Sequence, residues 1–304
     1  MTPCLTRRRF MGFGMALVHA GKCMALVSTT GPLLTTTVVV DSVGRLLVPV
    51  FLNGHGPFRF VVDTGASQSA ISSQLTAQLT LAPTPGADVL IHGTTGQAMM
   101  PSVLIEQFEI GSLRIEHQRL PIVASHLLAG AVGILGVDVL AGKRLDIDFR
   151  NKWLTIGMPA GADDDRNLTV VPAQQKFGGL LSIDCRVGNV RCRAIIDTGA
   201  QKSLGNPALL NRLHRGGAEP TGDEASVVRG PDGVTTIGRM LSDLPVRIGR
   251  SVALRTAVIF ADAPVFRTWG LADEPALLIG MDLLGTLSRL VIDYRRGILL
   301  LQAR

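Results

Sequence analysis

The tetrapeptide Asp-Thr-Gly-Ala occurs twice, as Asp63-Thr64-Gly65-Ala66 and as Asp197-Thr198-Gly199-Ala200. Each copy follows an apolar run, Phe60-Val61-Val62 in the first and Ala194-Ile195-Ile196 in the second. A single Asp-Thr-Gly is a common turn sequence. Two copies, each within a similar stretch on the order of a hundred residues, point to two copies of one half-site. A reaction that needs two facing carboxylates uses that arrangement.

The repeat extends well beyond the tetrapeptide. In the first half, a hairpin over Leu46–Leu52 and Phe58–Val62, turning at Asn53-Gly54-His55-Gly56, leads into Asp63. In the second, Leu180–Val187 and Val190–Ile196, turning at Gly188-Asn189, lead into Asp197. Short helical segments are expected next, over Ser72–Leu79 and Pro207–Leu213. Gly-rich hairpin tips follow, Gly93-Thr94-Thr95-Gly96 and Gly230-Pro231-Asp232-Gly233. Strands ending at Ile110-Gly111 and Ile248-Gly249 come after them. Later, Ile134-Leu135-Gly136 and Leu278-Ile279-Gly280 form a second matched pair, each followed two residues on by an acid. Each half closes with two apolar strands.

Short apolar runs between Gly-, Asn- and Pro-containing turns read as an all-β chain. The composition supports this. Apolar residues make up 46% and charged residues 18%, so a packed core is expected. Aromatics are only 4%, with a single tyrosine, Tyr294, so that core is aliphatic. Four cations, Arg7, Arg8, Arg9 and Lys22, lie near the start, where no acid offsets them. Without them the chain is close to neutral. No basic cluster interleaved with aromatics remains, and nucleic acid is not expected as a partner.

Thr6-Arg7-Arg8-Arg9-Phe10-Met11 matches a twin-arginine export pattern. An apolar stretch from Phe10 to Val18 follows, then small residues around Val18-His19-Ala20 and Cys23-Met24-Ala25. The bland alternative is a basic tail. The export reading places the chain in the periplasm, membrane-tethered only if the segment is retained. The expected organisation is an export segment and disordered lead-in over 1–34, a first lobe over 35–158, a linker over 159–167 and a second lobe over 168–304.

A two-residue Gly188-Asn189 turn sets Cys185 opposite Cys192. Directly opposed residues are within disulfide reach. An oxidising compartment favours the bond, and two reduced apolar residues are the alternative.

Two carboxyls ~3 Å apart do not both ionise easily, so one keeps a proton. The ionised one takes a proton from water while the protonated one polarises a carbonyl. On that reading Gly65 and Gly199 let the backbone turn tightly beside each carboxylate. The hydroxyls of Thr64 and Thr198 bond across the two-fold axis and lock the loops together.

Both halves resemble retropepsin-like aspartic proteases over nearly all of residues 37–301. The resemblance implies two β-barrel lobes related by a pseudo-two-fold axis, with a cleft between them. It implies Asp63 and Asp197 as the catalytic pair and Gly136 and Gly280 as buttresses of their loops. Gly93–Gly96 and Gly230–Gly233 become flap tips that close over substrate. One chain carries both halves, as in pepsin, so an oligomer is not required. Tyr294 lies in the last strand pair, so no flap tyrosine is available and the flaps resemble the retroviral type.

The expected activity is endopeptidase cleavage of a polypeptide, with no metal or organic cofactor. The six histidines show no metal-ligand spacing. A catalytically silent peptide- or protein-binding relative, and a protease dedicated to one partner protein, are the alternatives. Asp138, Asp148, Asp282 and Asp293 also repeat, but without the Thr-Gly context they read as caps or turn acids. Lys202, at the position of Gln68 in the first copy, reads either as a subsite residue or as a solvated loop lysine.

Overall fold

The computed structural model describes residues 32–94, 96–157, 165–216, 221–230, 234–250 and 252–304, the side chains of 221–223 excepted. The export segment therefore lies outside the described residues, as do Thr95, Pro231, Asp232, Gly233 and most of the expected linker. Residues 31–304 form one compact unit.

Each half is a strand ring. In the first, the chain of neighbours runs Leu46–Leu52, His55–Val62, Gly133–Leu135, Ala70–Ser72, Leu113–Val123, Ser102–Ile110. The last strand pairs back onto the first through Phe51 and Glu109, which closes the ring. In the second half the order is Leu180–Val187, Val190–Ile196, Ala276–Ile279, Leu204–Gly205, Val252–Phe260, Thr235–Ile248. Pairing of Arg186 with Arg247 closes it. Closure leaves no unpaired edge within a ring.

A six-stranded sheet takes three strands from each half, in the order Pro32–Thr37, Trp153–Gly157, Arg144–Asp148, Leu287–Asp293, Ile298–Ala303, Thr169–Pro172. The halves meet in antiparallel register, with Ile147 opposite Leu290. This symmetric sheet and the two rings are the all-β, two-lobe architecture implied by the repeat. Residues 32–34, expected in the lead-in, already belong to its edge strand, because Pro32 and Leu34 pair with Gly157 and Ile156. The first hairpin is also tighter than expected. Leu52 pairs with His55, so only Asn53 and Gly54 turn, both at positive φ.

Alternation decides what each strand buries. In Leu46–Leu52, Leu46, Val48, Val50 and Leu52 enter the main core, which runs through both halves. Leu47 joins a smaller cluster with Val61 and Ile134 on the opposite face. Both faces of this sheet are thus covered beside Asp63. The expected helices form over Ser73–Gln78 and Pro207–Arg215. Their N-caps, Ser72 and Asn206, accept from the N–H of Leu75 and Leu209 at 3.1 and 2.9 Å.

Candidate active site

The two loops are hung from matching strand pairs. Phe60–Val62 runs parallel to Gly133–Leu135, and Ile195–Ile196 runs parallel to Leu278–Ile279. The N–H of Asp63 donates to the Leu135 carbonyl at 2.9 Å, and that of Asp197 to the Ile279 carbonyl at 3.0 Å. Each aspartate therefore starts from a backbone pinned between two core strands.

Four reciprocal hydrogen bonds then join the loops. The Thr64 hydroxyl donates to the Ile196 carbonyl at 2.8 Å and accepts from the Thr198 N–H at 3.1 Å. The Thr198 hydroxyl donates to the Val62 carbonyl at 2.6 Å and accepts from the Thr64 N–H at 3.2 Å. Both threonines are fully buried. Each hydroxyl uses its donor and an acceptor site on the opposite half, so neither loop shifts without breaking bonds on both sides.

The carboxyls of Asp63 and Asp197 face each other in hydrogen-bonding contact. Gly65 N–H donates to Asp63 Oδ1 at 2.9 Å, while Gly199 and Ala200 N–H both donate to Asp197 Oδ1 at 2.9 Å. The glycines do more than allow a turn beside their own aspartate. A Cβ on Gly65 would overlap the Asp197 carboxyl, and one on Gly199 would overlap the Asp63 carboxyl. Each glycine clears space for the acid of the other half.

Gly136 and Gly280 pack against the same loops from behind. A Cβ on Gly136 would come within 2.6 Å of the Gln68 backbone, and one on Gly280 within 2.8 Å of the Lys202 backbone.

A protein-family model described as aspartyl protease matches residues 48–139 and again residues 183–283. The chain belongs to the aspartyl protease family. No curated protein matches it. The two matched stretches each contain one Asp-Thr-Gly-Ala loop and one buttressing glycine, so the family repeat coincides with the structural one.

In this member of the family burial dominates the electrostatics of the pair, and the charge of Arg45 offsets part of it at Asp63. Desolvation raises the pKa of Asp63, opposed by the Gly65 N–H and the hydrogen bond with Asp197. Desolvation also raises that of Asp197, and the negative charge of Asp63 pushes it further, well above the usual carboxylate range. Both shifts favour the protonated form more than in an exposed acid. Tyr294 is buried in the turn that joins the last two strands of the chain; burial, then the charges of both aspartates, raise its phenol.

Two hairpins occupy the expected flap positions. The first pairs Val89–His92 with Gln97–Met100, and Gly93 N–H donates to the Gly96 carbonyl at 2.7 Å. Ile91 and Met100 pack on the cluster that includes Ala66, beside the first loop. The Thr94 carbonyl accepts from Val265 N–H of the second half at 3.3 Å, so this tip reaches across. The second hairpin, Thr221–Arg229 with Thr235–Ile248, is longer, and Gly230 N–H donates to the Val234 carbonyl at 3.1 Å.

The structure adds residues that the sequence reading left out. Ser69 and Ser203 each lie six positions after the loop aspartate. Their hydroxyls accept from Gly136 and Gly280 N–H at 2.9 and 3.1 Å, and donate to Asp138 and Asp282 at 2.7 Å. Asp138 and Asp282 are thus part of the loop support. The equal offset in the two copies was the signal. Asp148 and Asp293 accept from the N–H of Asn151 and Arg296 as turn acids. Lys202 is exposed. Cys185 and Cys192 are directly opposed and buried, with sulfurs 3.0 Å apart, and they stand as free thiols.

Proposed function

We propose that this protein is a single-chain aspartic endopeptidase. The observation that carries the reading is the contact between the Asp63 and Asp197 carboxyls at the junction of two matched halves. With one shared proton, the pair is both acid and base. The dyad titrates as a unit; in the free enzyme one carboxyl, here taken as Asp197, keeps the proton, and Asp63 is ionised. A water between them gives a proton to Asp63 as its oxygen attacks the scissile carbonyl carbon. Asp197 donates to the carbonyl oxygen as charge develops there. The proton collected by Asp63 then goes to the departing amine while a hydroxyl of the tetrahedral gem-diol returns its proton to Asp197 as the C–N bond breaks, and the starting state returns. The chain's own carboxyls and water suffice.

The substrate is an extended polypeptide lying under the two hairpins, where exposed backbone groups pair with it as an added strand. Ile91 and Met100 line the underside of the first hairpin and favour apolar side chains there.

Cleavage of a mixed peptide library from acidic to neutral pH, with and without pepstatin, tests the assignment. Activity is expected to vanish in Asp63→Asn and in Asp197→Asn. Undiminished cleavage by either variant sinks the dyad. Tight peptide binding by the wild type without any cleavage would point instead to a silent binding module.

Its site of action is the periplasm, on the strength of Thr6-Arg7-Arg8-Arg9-Phe10-Met11. Replacing Arg7 and Arg8 with lysine should strand the protein in the cytoplasmic fraction of expressing bacteria. Export that survives the replacement removes this reading.

A further inference from the structure

The strand that carries Asp197 begins in a cluster of arginines. Arg186 is directly opposed by Arg191 across the hairpin and by Arg247 on its other side. Opposed residues share a sheet face, so three guanidinium side chains stand in a row on strands ~5 Å apart. Arg193 shares that face two residues along, and Arg250 follows the Ile248-Gly249 turn. Five arginines and two acids, Asp184 and Glu274, thus line a cavity of about 730 Å³, and positive charge is in excess. That volume is ligand-sized.

Only Arg193 has an acid partner, Asp184 at 3.1 Å. Among the described residues Arg186, Arg191, Arg247 and Arg250 form no ion pair. Like charges directly opposed across strands destabilise a sheet. The fold does not demand them. Before the matching Ile-Gly of the first half stands Glu109 where the second has Arg247. Six residues before the loop aspartate the first half has Pro57 where the second has Arg191. An unfavourable cluster confined to one copy of a repeat calls for a ligand that neutralises it.

We propose that this cavity docks an anionic stretch of the polypeptide substrate, at a place separate from the scissile bond. The proposal rests on the endopeptidase reading for the identity of its ligand. A row of guanidinium forks suits carboxylates or phosphates, which accept two parallel N–H bonds each. Among the described residues no aromatic side chain lines the cavity to stack a base, which disfavours nucleic acid. Arg193 and Arg191 precede Asp197 by four and six residues, ~13–20 Å along an extended strand. An acidic stretch separated from the cleaved bond by at least several extended residues spans that distance.

Fluorescence anisotropy on the full chain tests this with fluorescein-labelled octaglutamate, a phosphoserine peptide of equal length, a neutral Gly-Ser peptide and a single-stranded oligonucleotide. At least one anionic peptide should bind and be released by salt. Preference between them identifies carboxylate or phosphate as the natural group. A triple variant, Arg186→Gln with Arg191→Gln and Arg247→Gln, should bind roughly tenfold more weakly or worse. Arg191→Glu, at an exposed position, should weaken binding alone and leaves the fold out of question. In cleavage assays the triple variant should raise KM for a peptide with an acidic tail and leave a short uncharged peptide unaffected. Equal binding by wild type and triple variant, no binding of either anionic peptide, or preference for the oligonucleotide overturns the proposal. If no peptide is ever cleaved, the binding measurements still decide the site, so the two readings fail separately.

Discussion

Two pairs of aspartates sit where the halves meet, and they are handled in opposite ways. Asp63 and Asp197 face each other without a cation in hydrogen-bonding contact, and both pKa values rise. Asp146 and Asp165 are wrapped in arginines. Arg289 of the second half donates to both Asp146 oxygens, at 2.9 and 2.6 Å. Arg144 of the first half reaches Asp146 and Asp165 at 3.3 and 2.9 Å, and Arg296 of the second reaches Asp165 at 2.6 Å. Burial pushes the Asp165 carboxyl up, but Arg144 and Arg296 outweigh it and hold it below the usual range. The first pair, reactive on the proposed reading, costs stability once both carboxyls are asked to ionise. The second clamps the two halves and the incoming chain at Asp165 together.

The largest effect should come from removing a carboxyl of the first pair. Asp63→Asn or Asp197→Asn should lower turnover about a thousandfold. The stability effect should have the opposite sign. A folded pKa raised above the unfolded value stabilises only at low pH and works against folding once pH has risen through it. At neutral pH, Asp197→Asn should therefore raise Tm, by about 2–4 °C if the gain is ~1 kcal/mol. A fall in Tm would mean the carboxyl contributes stabilising bonds that outweigh its desolvation. In the second pair the same kind of deletion should only harm. Arg144→Leu leaves Asp165 with Arg296 alone and Asp146 with Arg289 alone, and should cost ~1–3 kcal/mol in thermal or denaturant unfolding. Adding Asp165→Leu should return part of that loss, because the buried acid that lost a partner goes with it.

Acid titration separates the pairs further. Asp165, with its lowered folded pKa, stabilises the protein above its unfolded pKa of about 4 and loses that contribution as pH falls through the folded value. The dyad acts the other way, gaining stability on protonation. Asp165→Asn should thus flatten the fall in stability below about pH 4, measured as unfolding midpoint against pH. An unchanged slope would assign acid unfolding to other carboxylates.

What the sequence revealed followed the range of each interaction. The Cys185–Cys192 register was legible because a two-residue turn determines it locally. The matched loops and buttressing glycines were legible because the chain states them twice. The clearance that Gly65 makes for Asp197 was not, since it depends on how two distant loops approach. The Asp146–Arg289 pairing was hidden for the same reason. It needs the antiparallel register between Arg144–Asp148 and Leu287–Asp293, which no local pattern encodes. The free state of the cysteines depends on redox conditions, about which spacing is silent.

The smallest expected effect on turnover concerns the support behind the dyad, where the two halves should behave alike. Ser69→Ala and Ser203→Ala each remove a hydroxyl that accepts a glycine N–H and donates to an acid. The hydroxyls are small, so little packing is lost. The cost comes from the Gly136 or Gly280 N–H, which is buried and left without its acceptor, a penalty of ~1–3 kcal/mol. Asp138 retains Ser69 N–H at 2.9 Å and Gln118 at 2.8 Å, and Asp282 retains Ser203 N–H at 3.0 Å. Denaturant midpoints should therefore fall by similar amounts in the two variants, with a larger fall for Ser203→Ala if Gln118 compensates in the first half. Turnover should drop modestly in both, because the loops remain tied by Thr64 and Thr198. A loss of turnover as large as that of the aspartate variants would show that the serines, rather than the threonines, hold the carboxyls in register.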